Sequence, residues 1–250
     1  MKHLSKVVAL ILAITIIGTC LVSGCSKKTK YVIGTDTVFA PFEMTDTNGN
    51  YIGVDVEILA AVAKDQGFDY ELQPLGFDAC LAAVTAGEID GMIAGMSITE
   101  KRKEIYDFST AYYDSGVCVA AIDSNIKSLD DLKGKTVAAK TGTEGLSYAN
   151  SIKDQYNLKV TVYDESAVMY QSVKTGDTVA CFEDYPVMGY GISQGNGFHM
   201  ITDLIQGSSY GFAVKKGQNA DLLKKFNAGL ANIKANGTYQ QILDKYIKAA

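Results

Sequence analysis

Two hydrophobic rhythms alternate along the chain. Short apolar runs at 31–35, 69–74 and 89–94 have the length and the β-branched content of buried strands. Between them, Ile58, Leu59, Val62 and Ala63 recur at helical spacing and stop at Gly67, which predicts a helix over 55–66. Asp78 and Gly87 bracket a second helix over 78–86 in the same manner. Asn48-Gly49-Asn50 lies between apolar Met44 and Ile52 and predicts a tight turn, because asparagine and glycine tolerate positive φ. Strand, helix, strand in this order is the signature of an α/β fold.

The rhythm resumes after Ser115-Gly116. Strands are expected near 117–121, 136–139, 158–163 and 178–182, with helices near 128–132, 143–152 and 166–173 and two closing helices over 220–235 and 237–248. No internal repeat or long linker separates the two sets. A length of 250 residues accommodates one large domain or two lobes.

The first residues follow a different pattern. Lys2 and Lys6 precede an uncharged apolar run from Val7 to Leu21, then small residues up to Cys25, so residues 1–24 read as an export signal. The ending Val22-Ser23-Gly24-Cys25 resembles the bacterial lipobox, which implies lipid on Cys25 and a polar tether over 25–30. A retained anchor is the alternative, disfavoured because the apolar run is short for a spanning helix.

Charge and cysteine usage narrow the picture further. The formal net charge of −5 gives nucleic acid and anionic lipid nothing to bind. Cys80, Cys118 and Cys181 are dispersed in apolar stretches with no CxxC, which argues for buried thiols and against zinc, and no cofactor is implied.

Among 23 basic residues only Arg102 is an arginine. It is either an ordinary surface residue of the charged run 100–104 or a bidentate clamp for a carboxylate, which lysine cannot imitate. Gly95 and Ser97 follow the strand at 89–94, at the carboxyl end where open α/β sheets bind ligands. Lys140-Thr141-Gly142-Thr143-Glu144 follows another strand and opens a helix, either as a capped start or as an anion site. Enzyme signatures are weak: no nucleophile elbow, no phosphate loop, and His199 as the single histidine after the signal.

In order, Ile33-Gly34-Thr35-Asp36, Phe39-Ala40-Pro41-Phe42, Gly53-Val54-Asp55-Val56, Gly95-Met96-Ser97-Ile98-Thr99 with Arg102, Asp107-Phe108-Ser109 and Asn236-Gly237-Thr238-Tyr239 resemble the polar amino-acid family of bacterial solute-binding proteins. The resemblance implies a two-lobed periplasmic-binding-protein fold, lobe 1 over 31–112 plus 213–250, lobe 2 over 117–207, and hinges near 113–116 and 208–212. It implies a monomer that passes an amino acid to an ABC permease. Arg102, with Ser97 and the Thr143-Glu144 turn, would take the α-carboxylate. Asp184, with Gly95 and Ser97, would take the α-ammonium, and Phe39 and Phe77 would sandwich the side chain. Met96 belongs to the same motif. Asp36 and Lys140 stand where glutamine binders of the family carry an aspartate and a lysine, which favours glutamine. Glu183 replaces a histidine of that pattern and could favour arginine or lysine. Two rivals share the fold: a dehydratase, which would need a poised acid such as Glu183 or Glu144, and a sensor that docks on a separate receptor.

Overall fold

The computed structural model describes residues 30–247, so the expected signal segment, the expected lipid site at Cys25 and most of the expected tether lie outside the described residues. Two sheets organise the chain. The first has the order β4-β1-β5-β13-β6 and the second β11-β7-β10-β8-β9, where β11 is His199–Met200 and β12 also pairs with β7.

In the first sheet, β1 (Lys30–Thr35) pairs in parallel with β4 (Asp69–Pro74) and β5 (Gly91–Met92), while β13 (Ala213–Lys215) runs antiparallel to β5 and to β6 (Tyr106–Phe108). Helix α1 (Val54–Gln66) buries Ile58, Leu59 and Val62 and ends on Gly67 at φ 62°, a left-handed cap that costs glycine nothing. Helix α2 (Phe77–Ala86) ends on Gly87 in the same way. The expected turn lies between β2 (Met44–Thr45) and β3 (Tyr51–Ile52), where Asp46 accepts the Asn48 and Asn50 amides. Helices α7 (Ala220–Ala235) and α8 (Thr238–Tyr246) return to this sheet, and Phe226, Leu230 and Ile242 join Ile33, Ile58 and Phe212 in one core. Phe212 and Phe226 stack with centroids 4.5 Å apart. α3 (Glu100–Lys103) is a single turn capped by Thr99.

In the second sheet, β8 (Thr136–Lys140) lies parallel to β9 (Lys159–Tyr163) and β10 (Ala180–Asp184), and β10 is antiparallel to β7 (Tyr113–Ala121). Helices α4 (Glu144–Tyr156), α5 (Ser166–Thr175) and α6 (Tyr185–Ser193) cover it, and apolar clusters occupy both faces. The expected helix near 128–132 is a 3-10 turn (Leu129–Leu132), and α6 was not expected at all. Cys80, Cys118 and Cys181 are free, buried thiols.

The long strand β7 and its antiparallel partner β12 (Ile205–Tyr210) join the two bodies, with Tyr113 opposite Tyr210 and Ser115 opposite Ser208. Tyr210 also bridges to Ser97, and the Tyr112 amide donates to the Tyr210 carbonyl. Among the described residues no helix is long and apolar enough to cross a membrane.

Candidate functional site

The carboxyl ends of β1, β5, β8 and β10 converge on one cavity of about 10 Å³, partly open to solvent, lined by Asp36, Phe39, Ala94, Gly95, Ser97 and Asp184, and also by Phe77, Arg102, Lys140, Thr143 and Glu144. That is room for about one water molecule, so the lining side chains close on one another and an enclosed solute must part them. Strand ends supply the side chains because there the ladder stops and the chain must turn.

Arg102 is 9% exposed, so the ordinary surface reading does not describe it. Thr99 caps its helical turn by accepting the Arg102 amide, which aims the side chain inward. One guanidinium nitrogen donates to the Ser97 carbonyl at 2.8 Å, the other to the Gly142 carbonyl at 3.0 Å, and Glu144 lies 3.7 Å away. Its Cζ sits 5.4 Å from the Phe77 ring centroid. Burial pulls the guanidinium below its ordinary value, opposed by the charges of Glu144 and Asp184. An arginine so placed stays charged and retains donors for an incoming anion.

Lys140 and Asp36 form a second charged set. Their Nζ–Oδ2 distance is 2.5 Å and each side chain is 2% exposed. The ammonium also stands 5.6 Å from the Phe39 ring centroid. Thr143 accepts the Leu146 amide as N-cap of α4, which brings that helix's first turn to the cavity.

Asp184 ends β10 and accepts the Tyr210 phenol at 2.6 Å. Burial, with the charge of Glu183 second, pushes its carboxyl up to about 7. Gly95 adopts φ 53°, and a Cβ there would meet the Phe39 ring at 2.4 Å. Only glycine allows that approach.

Two expected site residues are placed elsewhere. Met96 is fully buried in the lobe 1 core with Phe77, Met92 and Tyr106, because its side chain leaves the backbone opposite to its neighbours. Glu183 turns away from the cavity: one oxygen accepts the Asp184 amide at 2.8 Å, and the other accepts Tyr170 at 2.6 Å and Ser166 at 3.1 Å. Burial raises its carboxyl above the ordinary range. Conversely, Ala94 in the lining and Tyr210 behind Asp184 were not foreseen. Among the described residues no group of three His, Cys, Asp or Glu could hold a metal.

The profile of the bacterial extracellular solute-binding proteins, family 3, matches residues 31–249. The chain belongs to that family. Among relatives, it is 29% identical to the arginine-binding extracellular protein ArtP of Bacillus subtilis (strain 168), over 94% of this chain and 92% of the other. Substrate binding domain 2 of Lactococcus lactis GlnP, solved in an open conformation, is 42% identical over 90% of this chain and 97% of its own, with a TM-score of 0.63. An ancestral arginine-binding protein bound to arginine is 35% identical over 88% of this chain and 99% of its own, with a TM-score of 0.81. This family 3 chain thus matches a ligand-bound relative in overall shape better than a more identical open one. Its cross-cleft contacts from Lys140 to Asp36 and from Arg102 to Gly142 agree with that ordering.

Proposed function

We propose that the protein is a lipid-anchored extracytoplasmic binding protein that encloses one polar L-amino acid, glutamine first, between two lobes and delivers it to an ABC importer. The observation that carries the choice of ligand is the buried Lys140–Asp36 pair. A side-chain amide offers a donor for Asp36 and an acceptor for Lys140, so it can enter between the two without leaving either charge unsatisfied. A guanidinium or ammonium would meet Lys140 as a like charge.

The zwitterionic head group suits the other set. Arg102, Ser97 and the first turn of α4 present donors to a carboxylate, and Asp184 presents the carboxylate an ammonium requires. Phe39 and Phe77 offer apolar walls for the methylene stem. The pairing of β7 with β12 supports hinges near 113–116 and 208–212, about which a ligand touching both lobes would favour the closed arrangement. Binding and release need no bond broken. The candidate acids for catalysis are engaged, Glu144 beside Arg102 and Glu183 with Tyr170 and Ser166.

A second reading, an arginine or lysine binder, is favoured by the cavity's three acids against two bases and by relatives named for arginine. The test is the melting temperature of a ligand-stripped soluble form starting at Ser26, with glutamine, arginine, lysine and cystine in turn. A ligand at about a hundred times its Kd stabilises by about 2.7 kcal/mol. Glutamine should raise the melting temperature most. A larger rise with arginine transfers the assignment, and none with any amino acid overturns it. Labelled palmitate should enter the wild-type chain in cells and be lost in Cys25→Ala.

A further inference from the structure

Behind the cavity, inside lobe 1, lie two acids that are not part of its lining. Glu43 and Asp55 are both fully buried. Thr35 donates to Glu43 Oε1 at 3.2 Å. Asp55 Oδ2 accepts both the Gly95 amide and the Tyr112 phenol, each at 2.7 Å. The remaining oxygens, Glu43 Oε2 and Asp55 Oδ1, are buried and receive no donor among the described residues. Each carboxyl bears on the ionisation of the other, which sets the two side by side. Two carboxylates only accept, whereas a protonated carboxyl beside a carboxylate satisfies both.

We propose that Glu43 and Asp55 share one proton at neutral pH and act as a single positioning unit behind the cleft, fixing Gly95 and Tyr112. Glu43 carries the proton and donates it to Asp55 Oδ1, and Asp55 uses its other oxygen to tie the cleft wall to Tyr112, the residue just before the inter-lobe strand β7. Titratable groups facing the pair add no free cation: Asp36 is held by Lys140, and Tyr112 and, beyond it, Tyr210 are neutral phenols. Burial, then the charges of Asp55 and Asp36, raise the Glu43 carboxyl well above its ordinary value. Burial pushes Asp55 up to about 6, against the bonds from Tyr112 and Gly95 that pull it down. The proton itself is independent of the ligand reading; its consequence for binding rests on that reading.

The experiment has a ligand-free arm and a binding arm. Infrared spectra of the unliganded protein at about pH 8 should contain the carbonyl stretch of a protonated carboxyl, lost in Glu43→Gln and retained in Asp184→Asn. Its absence from the wild type, or its survival in Glu43→Gln, overturns the shared proton. Because the folded-state value is raised, the stability it confers is complete below the ordinary carboxylate value of about 4.3 and is lost as pH rises through the folded-state value. The melting temperature of the wild type should therefore fall relative to Glu43→Gln as pH rises across that span, and parallel curves contradict the proposal. In the binding arm, Glu43→Gln should keep glutamine affinity within about threefold, since its amide N–H replaces the shared O–H, whereas Glu43→Ala should lose at least about tenfold. Equal affinities of the two variants overturn the positioning role. A wild type that binds no amino acid refutes the proposed function instead, while the infrared result still decides the proton.

Discussion

Lys140 reaches across the cleft to Asp36, and the 2.5 Å pair they form is buried from both sides. Lys140 ends β8 in one sheet and Asp36 follows β1 in the other, so the contact exists only while the lobes are together. Removing one partner of a buried ion pair typically costs about 3–5 kcal/mol. Here the open form can rehydrate Asp36, so the cost falls on closure. Lys140→Leu should weaken glutamine at least about tenfold, equivalent to about 1.4 kcal/mol, and weaken arginine less. Isothermal titration with both ligands measures the ratio. An unchanged preference would remove the reason for choosing glutamine.

Arg102 binds through two nitrogens in a fixed plane, to the Ser97 and Gly142 carbonyls. A lysine at that position keeps the charge and loses the fork. Arg102→Lys is expected to weaken every α-amino acid by about tenfold or more, and Arg102→Ala by more again, without regard to side chain. Competition titrations against a panel of amino acids would measure this. Selective loss of one amino acid would mean that Arg102 reads the side chain and that the proposed orientation is reversed.

The local elements were legible where one apolar stripe and a glycine stop sufficed, as in α1 and α2. Elsewhere tertiary demands prevailed. The run 89–94 reads as one strand, yet only Gly91–Met92 pairs with β1, because the chain leaves the ladder to bring Ala94 and Gly95 to the cavity. Helix α6 was masked by Pro186, Gly189 and Gly191, although proline is well tolerated in a first turn, where it sits. Met96 entered the expected site as part of the Gly95–Thr99 motif, and Glu183 for standing where the glutamine-binding pattern has a histidine. In extended chain, adjacency in sequence puts side chains on opposite faces, and both turn away. Arg102 was found by its singularity. Tyr210, Glu43 and Asp55 act through contacts between distant segments, which periodicity does not record.

The carboxyl of Asp184 should make binding pH-dependent with a sign opposite to that of the unliganded fold. Its folded-state value, about 7, lies above the ordinary value near 3.9, so its contribution to the unliganded fold is complete below about pH 4 and lost as pH rises through about 7. A ligand ammonium needs Asp184 ionised. Glutamine affinity should therefore decline as pH falls through about 7, and the rise in melting temperature given by the ligand should shrink with it. The Tyr210 bond holds Asp184 down, so Tyr210→Phe should move the midpoint of the affinity profile to higher pH. Calorimetric titrations from about pH 5 to about pH 8 test both statements. A flat profile would show that Asp184 does not receive the ammonium.

Gly145 couples packing to the cleft. It lies in the first turn of α4, and a Cβ there would meet the Phe182 carbonyl oxygen at 2.8 Å and its carbon at 3.1 Å. Both are backbone atoms of β10, so no side-chain rotation relieves the clash, and the helix must move off the sheet. That movement displaces Thr143 and Glu144 on one side of the contact relative to Asp184 on the other. Gly145→Ala should destabilise by about 1–3 kcal/mol and weaken ligand binding as well. Gly189→Ala is the control: its Cβ would make an ordinary 3.6 Å contact with Met200, and replacing a helical glycine by alanine should gain up to about 1 kcal/mol. Chemical denaturation and titration of both variants separate the effects. If Gly145→Ala lost stability but kept full affinity, the first turn of α4 would not be holding the ligand.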